Sequence, residues 1–327
     1  MKILLWKIGA LGDIVMTTPL VRQLRRAHAG ATIDYLTGRG CAAVIRGNPH
    51  LDEVRTFDEA ILYGGRPARL PEVLRLLSGY DCIVTLDKHW VFPLLARLAG
   101  APMRVGFRRR PLEGALLTHR VPYGPVRHEI HYYLDLLAAA GWPVDRDDLA
   151  LEAPPAAPPA AAAPPASIVL VNAGGANANE SSNVRRMPDD LFGAVVSACV
   201  AQAPVVFLGS AAEAPYYERF ALAGCTNLCG RTDLAGAVAV LRDAQRVITT
   251  DTGLMHLAGA VQSDVTAVFG PTHPLRKCPP GARWVWGDEA SYDPAYETFG
   301  RLPQGSWFRS LSPQQVLHAP PPAWPRA

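Results

Sequence analysis

Strand-like apolar segments alternate with helix-like amphipathic segments along most of this 327-residue chain. The amphipathic segments place apolar residues at helical spacing, as over residues 128–140, where Ile130, Leu134 and Leu137 share one face. The strand-like segments are residues 3–7, 31–36, 52–57, 82–86, 103–107, 167–172, 205–209, 246–250 and 264–270. This alternation predicts the α/β class, with parallel sheets that are covered by helices on both faces.

A segment rich in alanine and proline interrupts the pattern. Residues 153–166 read APPAAPPAAAAPPA, and paired prolines neither continue a helix nor fit the centre of a sheet. We therefore predict a stiff linker between an N-terminal domain, residues 1–152, and a C-terminal domain, residues 167–327. Both domains are expected to be Rossmann-like. Because such sheets bind ligands beyond the carboxyl ends of their strands, we expect the domains to face each other across a cleft.

Composition narrows the choice of function. Hydrophobic residues make up 49% and charged residues 19% of the chain, as in a globular protein. The net charge of +3 does not indicate a nucleic-acid partner. The N-terminus, MKILLWKIGALGDIV, lacks a small-residue cleavage site, and no apolar run has the length of a membrane span. We therefore expect a cytoplasmic protein.

The sequence does not predict a metal site. Cys225 and Cys229 are the only close pair among six cysteines, and no second pair or histidine pair stands near them. Residues 145–147, DRD, have the D-x-D form of metal-dependent sugar transferases. They follow a predicted helix, however, and not the end of a strand, so we do not interpret them as ligands.

The first candidate site follows the first strand, at residues 9–13, GALGD. Glycines let a ligand approach the backbone, and the next helix offers free N–H groups. Asp13 either acts on a ligand or stabilises the helix as a first-turn carboxylate. The loop is not G-x-G-x-x-G, and the second strand ends in YLTG, residues 35–38, without an acid for a ribose. Both features disfavour a nicotinamide dehydrogenase.

The second candidate site follows the strand at residues 246–250. Asp251, Thr252 and Gly253 open a helix whose N-terminal amides suit a diphosphate. His256 lies one turn after Thr252 on the same face, where it could donate to a phosphate oxygen. The alternative is an ordinary N-capped helix with a histidine on its surface.

A glycine loop follows the first strand of the C-terminal domain. Residues 172–177, NAGGAN, contain Gly174 and Gly175 and leave the end of that strand. Either Arg185 or Arg186, which come next, could neutralise a leaving diphosphate with its planar guanidinium. The alternative is a surface loop with solvated arginines.

Two further charged features have two interpretations each. Glu213, after the strand at residues 205–209, could accept both hydroxyls of a ribose, or it could be a first-turn helix carboxylate. The basic run at residues 108–110, RRR, is either a solvated surface or a contact for an anionic acceptor.

These motifs together resemble glycosyltransferase family 9, the family of the ADP-heptose:lipopolysaccharide heptosyltransferases. The resemblance covers most of the chain and is most specific in LGD with TTP, residues 11–13 and 17–19, and in DTGLMHLAGA, residues 251–260. The other matching segments, in family order, are NPHLDEVRTFDE, IVTLDKHWVFPLLARLAGAPMRVGF, LVNAGG with RRMP, VVFLGSAAE, LCGRTDLAGAVAVLRDAQRVITT and VFGPTHP.

The resemblance implies a GT-B fold and an inverting, metal-independent transfer of a sugar, a heptose from ADP-heptose, to a hydroxyl of a glycan such as the lipopolysaccharide core. Asp13 corresponds to the catalytic base of the family. The implied donor-binding residues are Asp251, Thr252, Gly253, His256, Arg186, Glu213, Gly174 and Gly175. The residues expected on the acceptor side are Lys7, Gly12, Arg108, Arg109 and Arg110.

The resemblance also bears on cofactors and partners. No cofactor is expected beyond the nucleotide sugar, and a glycolipid acceptor would bring the protein to the inner membrane surface. Three positions depart from the family pattern: Ala173 replaces a usual Pro, Met187 replaces a usual Trp, and Cys278 is what remains of a cysteine cluster. The alternatives left open are a GT-B transferase of another glycan or secondary-metabolite pathway, a nucleotide-sugar 2-epimerase and an inactive nucleotide-sugar-binding protein.

Overall fold

The computed structural model describes residues 1–63, 67–110, 112–159, 163–174, 183–262, 264–299 and 305–321. Contacts divide the chain into two compact units, Met1–Ala150 and Leu151–Ala327. The division falls just before the Ala/Pro-rich segment, and Ala157 of that segment donates a backbone hydrogen bond of 3.2 Å to Ala235 of the second unit. Among the residues that the structure describes, no helix combines the length and apolar character needed to cross a bilayer.

The first unit alternates strands with helices. Its strands are β1 (Lys2–Trp6), β2 (Thr32–Gly38), β3 (Glu53–Phe57), β4 (Cys82–Thr85), β5 (Met103–Arg108) and β6 (His119–Pro122). Its α-helices are α1 (Leu11–Val15), α2 (Thr18–Ala27), α3 (Ala42–Ile45), α4 (Ala60–Tyr63), α5 (Leu70–Leu77), α6 (Val91–Leu98) and α7 (Glu129–Ala139).

The six strands of the first unit form one parallel sheet in the order β3-β2-β1-β4-β5-β6. β1 lies in the middle, where Leu5 is beside Tyr35 of β2 and Val84 of β4. Burial on both faces explains why the first strand reads as an apolar run. The chain order reverses between β1 and β4, and Rossmann-type sheets bind ligands at this switch point.

Two helices, α1 and α2, follow β1, with a break between them. Pro19 lacks the N–H that would bond the carbonyl of Val15 in a continuous helix. The Thr18 hydroxyl donates to that carbonyl at 2.7 Å, and the Thr17 hydroxyl donates to Ile14 O at 2.7 Å. The break leaves α1 as a single short turn that carries Asp13.

The second unit repeats the same alternation. Its strands are β7 (Ile168–Val171), β8 (Val205–Phe207), β9 (Cys225–Asn227), β10 (Arg246–Thr250), β11 (Val265–Phe269) and β12 (Arg283–Trp286). Its α-helices are α8 (Asp189–Val200), α9 (Ala214–Glu218), α10 (Leu234–Asp243), α11 (Gly253–Val261), α12 (Pro274–Lys277), α13 (Pro294–Phe299) and α14 (Pro313–Leu317).

The second sheet has the strand order of the first. It runs β12-β11-β10-β7-β8-β9, all parallel, so its chain order reverses between β7 and β10. Phe192 of α8, Phe207 of β8 and Tyr217 of α9 pack together in one core. α14 closes this core with the fully buried Val316. The two switch points therefore lie at β1/β4 and at β7/β10.

The sequence did not predict three of the strands, β6, β9 and β12. All three lie at or next to a sheet edge, and most of their residues are only partly buried. An edge strand packs on fewer neighbours and needs fewer apolar residues, so its pattern is weak. The helix that begins after Glu213 is also short, since α9 ends at Glu218.

The end of α7 explains the D-x-D sequence. Gly141 has a φ of +78°, and Trp142 N donates to Leu137 O at 3.0 Å, which is a Schellman ending. The chain then turns, and Asp145 Oδ1 accepts a hydrogen bond of 3.0 Å from Asp147 N within the turn. The neighbouring Asp148 pairs with Arg22 of α2 at 2.6 Å. These carboxylates hold a turn against α2.

Candidate functional site

The switch point of the first sheet presents Asp13. The loop after β1 runs directly into α1, where Gly12 is buried and Asp13 occupies the first turn. The side chain of Asp13 keeps 27% of its surface exposed. It is therefore a carboxylate that a ligand can reach at the carboxyl end of the central strand, as the sequence predicted.

Lys7 lies between two carboxylates at this switch point. Its Nζ is 3.4 Å from Asp13 Oδ2 and also donates to Asp87 Oδ1. Asp87 follows β4, and its Oδ2 accepts a 2.7 Å hydrogen bond from Ile8 N. The side chain of Lys7 is 5% exposed and that of Asp87 is 12% exposed. The buried Lys7 thus links the ends of the two central strands to Asp13.

Buried tyrosines line the inner side of this cluster. Burial raises the pKa of Tyr133 well above its ordinary value, and Asp13, Glu129 and Asp87 raise it further. Burial likewise raises the pKa of Tyr35, whose hydroxyl lies 3.0 Å from Thr17 Oγ1. Both phenols stay neutral beside the carboxylates. The cluster therefore has a wall of low polarity.

A second buried ion pair lies along the same edge. Lys88 Nζ donates to Glu129 Oε2 at 2.9 Å and stands 4.2 Å from the centroid of the Tyr123 ring. The Tyr123 hydroxyl donates to Glu129 Oε1. Sequence reasoning missed both Asp87 and Lys88. The available signal was the charged pair directly after the apolar strand at residues 82–86.

The three arginines expected on the acceptor side have different surroundings. Arg109 pairs with Glu113, with Nη2 3.0 Å from Oε1. Arg108 ends β5 and is half-buried, whereas Arg110 is exposed. His89 lies near this pair, and its pKa is lowered by burial and then by Arg109. The run is thus not a uniformly solvated surface, and Arg110 is its exposed member.

The switch point of the second sheet presents the N-terminus of α11. Asp251, Thr252 and His256 are each buried, with 2%, 8% and 3% of their surface exposed. The alternative of a surface histidine was therefore wrong. Thr252 is the N-cap residue, yet its side chain makes no capping bond. Within the described residues its buried Oγ1 has no hydrogen-bond partner, so the hydrogen-bonding capacity of this hydroxyl is unused there.

Asp251 is held by an arginine from the preceding loop. Arg185 Nη1 donates to Asp251 Oδ2 at 3.1 Å, and the side chains are 16% and 3% exposed. Arg185 Nε also donates to the Tyr296 hydroxyl at 3.1 Å. Asp251 therefore has a charge partner within the protein, and Arg185 is oriented by two bonds.

Arg186 and Glu213 meet over an aromatic ring. The Arg186 guanidinium lies 3.9 Å from the centroid of the Tyr216 ring, and its Nη2 is 3.8 Å from Glu213 Oε1. Glu213 Oε2 accepts 2.8 Å hydrogen bonds from the backbone N and the Oγ of Ser210. Glu213 is thus a helix-start carboxylate as well as a partner of Arg186, and the ribose role remains a prediction.

Asn172 fixes the loop that carries these arginines. Its Oδ1 accepts from Met187 N at 2.7 Å, and its Nδ2 donates to Met187 O at 3.2 Å. The Thr250 hydroxyl joins the adjacent strand ends, since it accepts from Ala173 N at 3.1 Å and donates to Ala173 O at 2.9 Å. The sequence showed no role for Asn172, whose contacts need the folded loop.

Of the two glycines predicted to bind the donor in this loop, the structure describes only Gly174. A Cβ on Gly174 would lie 2.8 Å from the Asn183 Cα and 2.6 Å from its Oδ1. Only glycine fits there without a shift of the backbone. Gly175 lies outside the described residues.

A buried charged cluster adjoins Asp251 and was not predicted. Arg276 is fully buried, with Nε 3.5 Å from Glu297 Oε2, and the Tyr292 hydroxyl donates to Glu297 Oε2 at 2.7 Å. Burial raises the pKa of Glu297, and Asp251 contributes to the rise. Burial and then Arg276 lower the pKa of His273 to about 4. Within the described part of the chain, no three Asp, Glu, His or Cys side chains group as metal ligands.

Known proteins resemble this chain in sequence and in fold. Residues 71–287 match the family model described as glycosyltransferase family 9 (heptosyltransferase). Lipooligosaccharide heptosyltransferase 2 of Haemophilus influenzae is 27% identical over 298 residues, which cover 84% of this chain and 84% of the relative.

Two solved structures show the same fold at lower sequence identity. A glycosyl transferase of family 9 from Veillonella parvula has a TM-score of 0.77 and 20% identity, covering 97% of this chain and 95% of its own. An Escherichia coli heptosyltransferase solved with ADP-2-deoxy-2-fluoro heptose has a TM-score of 0.73 and 17% identity, covering 97% of this chain and 98% of its own. The predicted fold class, α/β with two Rossmann-like domains of the GT-B type, is confirmed.

Proposed function

The chain belongs to glycosyltransferase family 9 and is a glycosyltransferase; from this premise we propose that it transfers a heptose from ADP-heptose to a hydroxyl of a lipopolysaccharide-core glycan, with inversion and without a metal ion. The observation that carries the proposal is the reachable Asp13 carboxylate at the first switch point, 27% exposed beside Lys7. The relative's name supports heptose as the sugar, and the ligand of the Escherichia coli neighbour supports ADP as the carrier.

In the proposed reaction, Asp13 is the general base. It takes the proton of the acceptor hydroxyl while that oxygen forms a bond to the anomeric carbon. The bond from that carbon to the diphosphate oxygen breaks on the opposite face, and ADP leaves with the electron pair. A positioned base contributes roughly 10²- to 10⁴-fold to such a step. Attack opposite the leaving group gives inversion.

The second unit is the proposed donor site. The N-terminal amides of α11 and the Thr252 hydroxyl are the proposed hydrogen-bond donors to the diphosphate. Arg186, fixed over Tyr216, is the cation proposed to reach the phosphates, and Glu213 is the proposed ribose ligand. His256, one turn into α11, is the proposed further donor to a phosphate oxygen. Gly174 keeps the neighbouring loop close to the backbone of Asn183.

These groups also explain how the reaction could proceed without a metal ion. Charge that develops on the leaving diphosphate is stabilised by helix N–H groups and by a guanidinium, which are oriented before the reaction begins. Arg185 is less suited to this role, because it already binds Asp251. It would act indirectly, by holding the start of α11 in place.

The proposed acceptor is a glycolipid, which would place the first unit near the inner membrane surface. Trp90 is 52% exposed and Leu112 is 86% exposed, and both follow strands that end at the Asp13 edge. Arg110 is exposed in the same loop as Leu112. Apolar side chains next to a cation suit an anionic lipid surface.

The proposal is tested by a transfer assay with ADP-heptose and a lipopolysaccharide that lacks heptose. We expect ADP release that depends on the acceptor, an inverted anomeric configuration by NMR, and full activity in excess EDTA. ADP-heptose should raise the melting temperature more than UDP- or GDP-sugars do. Loss of activity in EDTA would contradict the metal-free mechanism. Saturable binding of ADP-heptose without turnover would indicate a binding protein instead.

Two arginines on Tyr216 provide a matched pair of variants. Arg186 and Arg219 both lie over this ring, at 3.9 Å and 5.6 Å, but the Arg219 side chain is 58% exposed and pairs with Asp189. Arg186→Ala should weaken ADP binding by about tenfold or more, the effect of one hydrogen bond to a charged group. Arg219→Ala should leave it nearly unchanged. Equal losses of ADP affinity in the two variants would show that Arg186 does not bind the phosphates specifically.

A further inference from the structure

The Lys7 ammonium is shared by two carboxylates that have different exposure. Its Nζ donates to Asp87 Oδ1 and stands 3.4 Å from Asp13 Oδ2. Asp87, 12% exposed, is fixed by its 2.7 Å bond from Ile8 N, whereas Asp13 keeps 27% of its surface exposed. One carboxylate therefore belongs to the interior, and the other can meet a substrate.

Other titratable groups face the cluster from the elements packed around it. They are Tyr35 on β2, Cys41 with Glu59 nearby, Tyr133 and Glu129 on α7, and Lys88 paired with Glu129. Burial raises the pKa of Tyr35, Cys41 and Tyr133, so these three groups are neutral near pH 7. Lys88 is balanced by Glu129 at 2.9 Å. Among the described charged groups, Lys7 contacts Asp13, and Asp87 contacts Lys7 from the other side.

A cation beside a catalytic carboxylate has one unfavourable and one favourable effect on that carboxylate as a base. A cation within a few ångström favours the ionised carboxylate, which weakens it as a proton acceptor, and it also fixes the direction of the carboxylate. A second anion that contacts the cation restores part of the lost proton affinity, while the carboxylate keeps its fixed direction. A general base works best when its proton affinity matches the operating pH.

We propose that Lys7 and Asp87 are positioning residues that set the basicity of Asp13. Lys7 keeps the Asp13 carboxylate ionised and fixes its orientation, and Asp87 partly offsets the effect of the Lys7 charge on Asp13. The inference rests on the proposed role of Asp13 as base. It also accounts for the charge after the reaction step. When Asp13 has taken the acceptor proton and become neutral, Lys7 is still balanced by Asp87.

The test is the titration of the Asp13 carboxyl, followed by carbon-13 NMR in the free enzyme and assigned with Asp13→Asn. Lys7→Met should move the titration midpoint to higher pH by about one unit, the effect expected when a contacting cation is removed. Asp87→Asn should move it to lower pH, because Lys7 then acts on Asp13 alone. Lys7→Arg keeps the charge and should leave it near the wild-type value.

The acidic limb of kcat/KM should move in the same directions, since only the ionised base accepts a proton. Lys2→Met and Asp81→Asn are matched controls from the opposite ends of β1 and β4, where Asp81 Oδ2 accepts from Lys2 N at 2.7 Å. Neither control should move the midpoint. If Lys7→Met does not fold, Asp87→Asn and Lys7→Arg still give one predicted shift and one predicted absence of shift.

A midpoint that stays in place in both Lys7→Met and Asp87→Asn, or that moves in the same direction in both, would overturn the inference. This failure can be told apart from failure of the proposed function. If Asp13→Asn abolishes transfer while the midpoints do not respond, Asp13 is the base and only the positioning role is wrong. If Asp13→Asn retains transfer, the proposed function has failed first.

Discussion

The two switch points have the same strand order and opposite chemistry. At β1/β4, a reachable carboxylate stands beside a lysine that a second carboxylate already binds. At β7/β10, the carboxylate is buried and paired, and the proposed ligands of the donor are the helix amides and the Thr252 hydroxyl, whose Oγ1 is buried and has no partner among the described residues. The first edge is suited to accepting a proton and the second to holding an anion. The same fold thus supports two functions, because the side chains of the loops determine the chemistry of each sheet edge.

The largest expected effect on stability concerns the paired carboxylate of the second edge. Asp251→Ala should lower the free energy of unfolding of the second unit by about 3 kcal/mol, because it leaves the Arg185 guanidinium with little solvent to replace its partner. It should also weaken ADP binding. Denaturant unfolding checks the stability, and Asp243→Ala is the control, since its pair with Arg242 is exposed and should contribute little. Equal losses would show that the buried pair of Arg185 with Asp251 stabilises the fold no more than an exposed pair does.

A smaller effect separates the ligand-facing hydroxyl from a structural one. Thr252→Val should weaken ADP binding roughly 10- to 100-fold, as expected for a lost hydrogen bond to a charged phosphate, with little change in melting temperature. Thr250→Val should instead lower the melting temperature, because its hydroxyl joins the ends of two strands through Ala173. Calorimetry measures the ADP affinity of both variants, and thermal melts measure their stability. A stability loss in Thr252→Val would show that its hydroxyl has a structural partner.

The smallest effect is the pH dependence of stability that comes from His273 in the second unit. The pKa of His273 is lowered to about 4, below its ordinary value near 6.5. Between these values the unfolded chain binds the proton and the folded chain does not, so stability falls as pH decreases from about 6.5 towards 4. His273→Asn, which keeps an acceptor for Leu275 N, should flatten this dependence in thermal melts. An unchanged slope would assign the acid sensitivity to other groups.

The sequence predicted the features that lie close together along the chain. Apolar strands followed by polar loops located Asp13 and Asp251 at strand ends, and the central strands were found because burial on both faces makes them apolar. The partners of these residues could not be predicted. Lys7 meets Asp87 across 80 positions and Arg185 meets Asp251 across 66, and both contacts depend on strands or loops that become neighbours only in the folded sheet.

Local detail was harder to predict than element type. The break before Pro19 was not predicted, and the sequence left open whether His256 is buried, since each depends on what packs around the helix. No sequence pattern indicates the two hydrogen bonds between the Asn172 side chain and the Met187 backbone. Met187, which departs from the family pattern, is nevertheless 2% exposed and belongs to the core of the second unit.

The central claim is that the first edge supplies the base while the second edge holds the donor. The most direct measurement is a comparison of Asp13→Asn with wild type, in which ADP affinity and the single-turnover rate of heptose transfer are measured on the same preparations. We predict an ADP dissociation constant within about twofold, because the change spares every proposed phosphate ligand, and a rate that falls roughly 10²- to 10⁴-fold. Transfer that persists within a few-fold of wild type would contradict the claim.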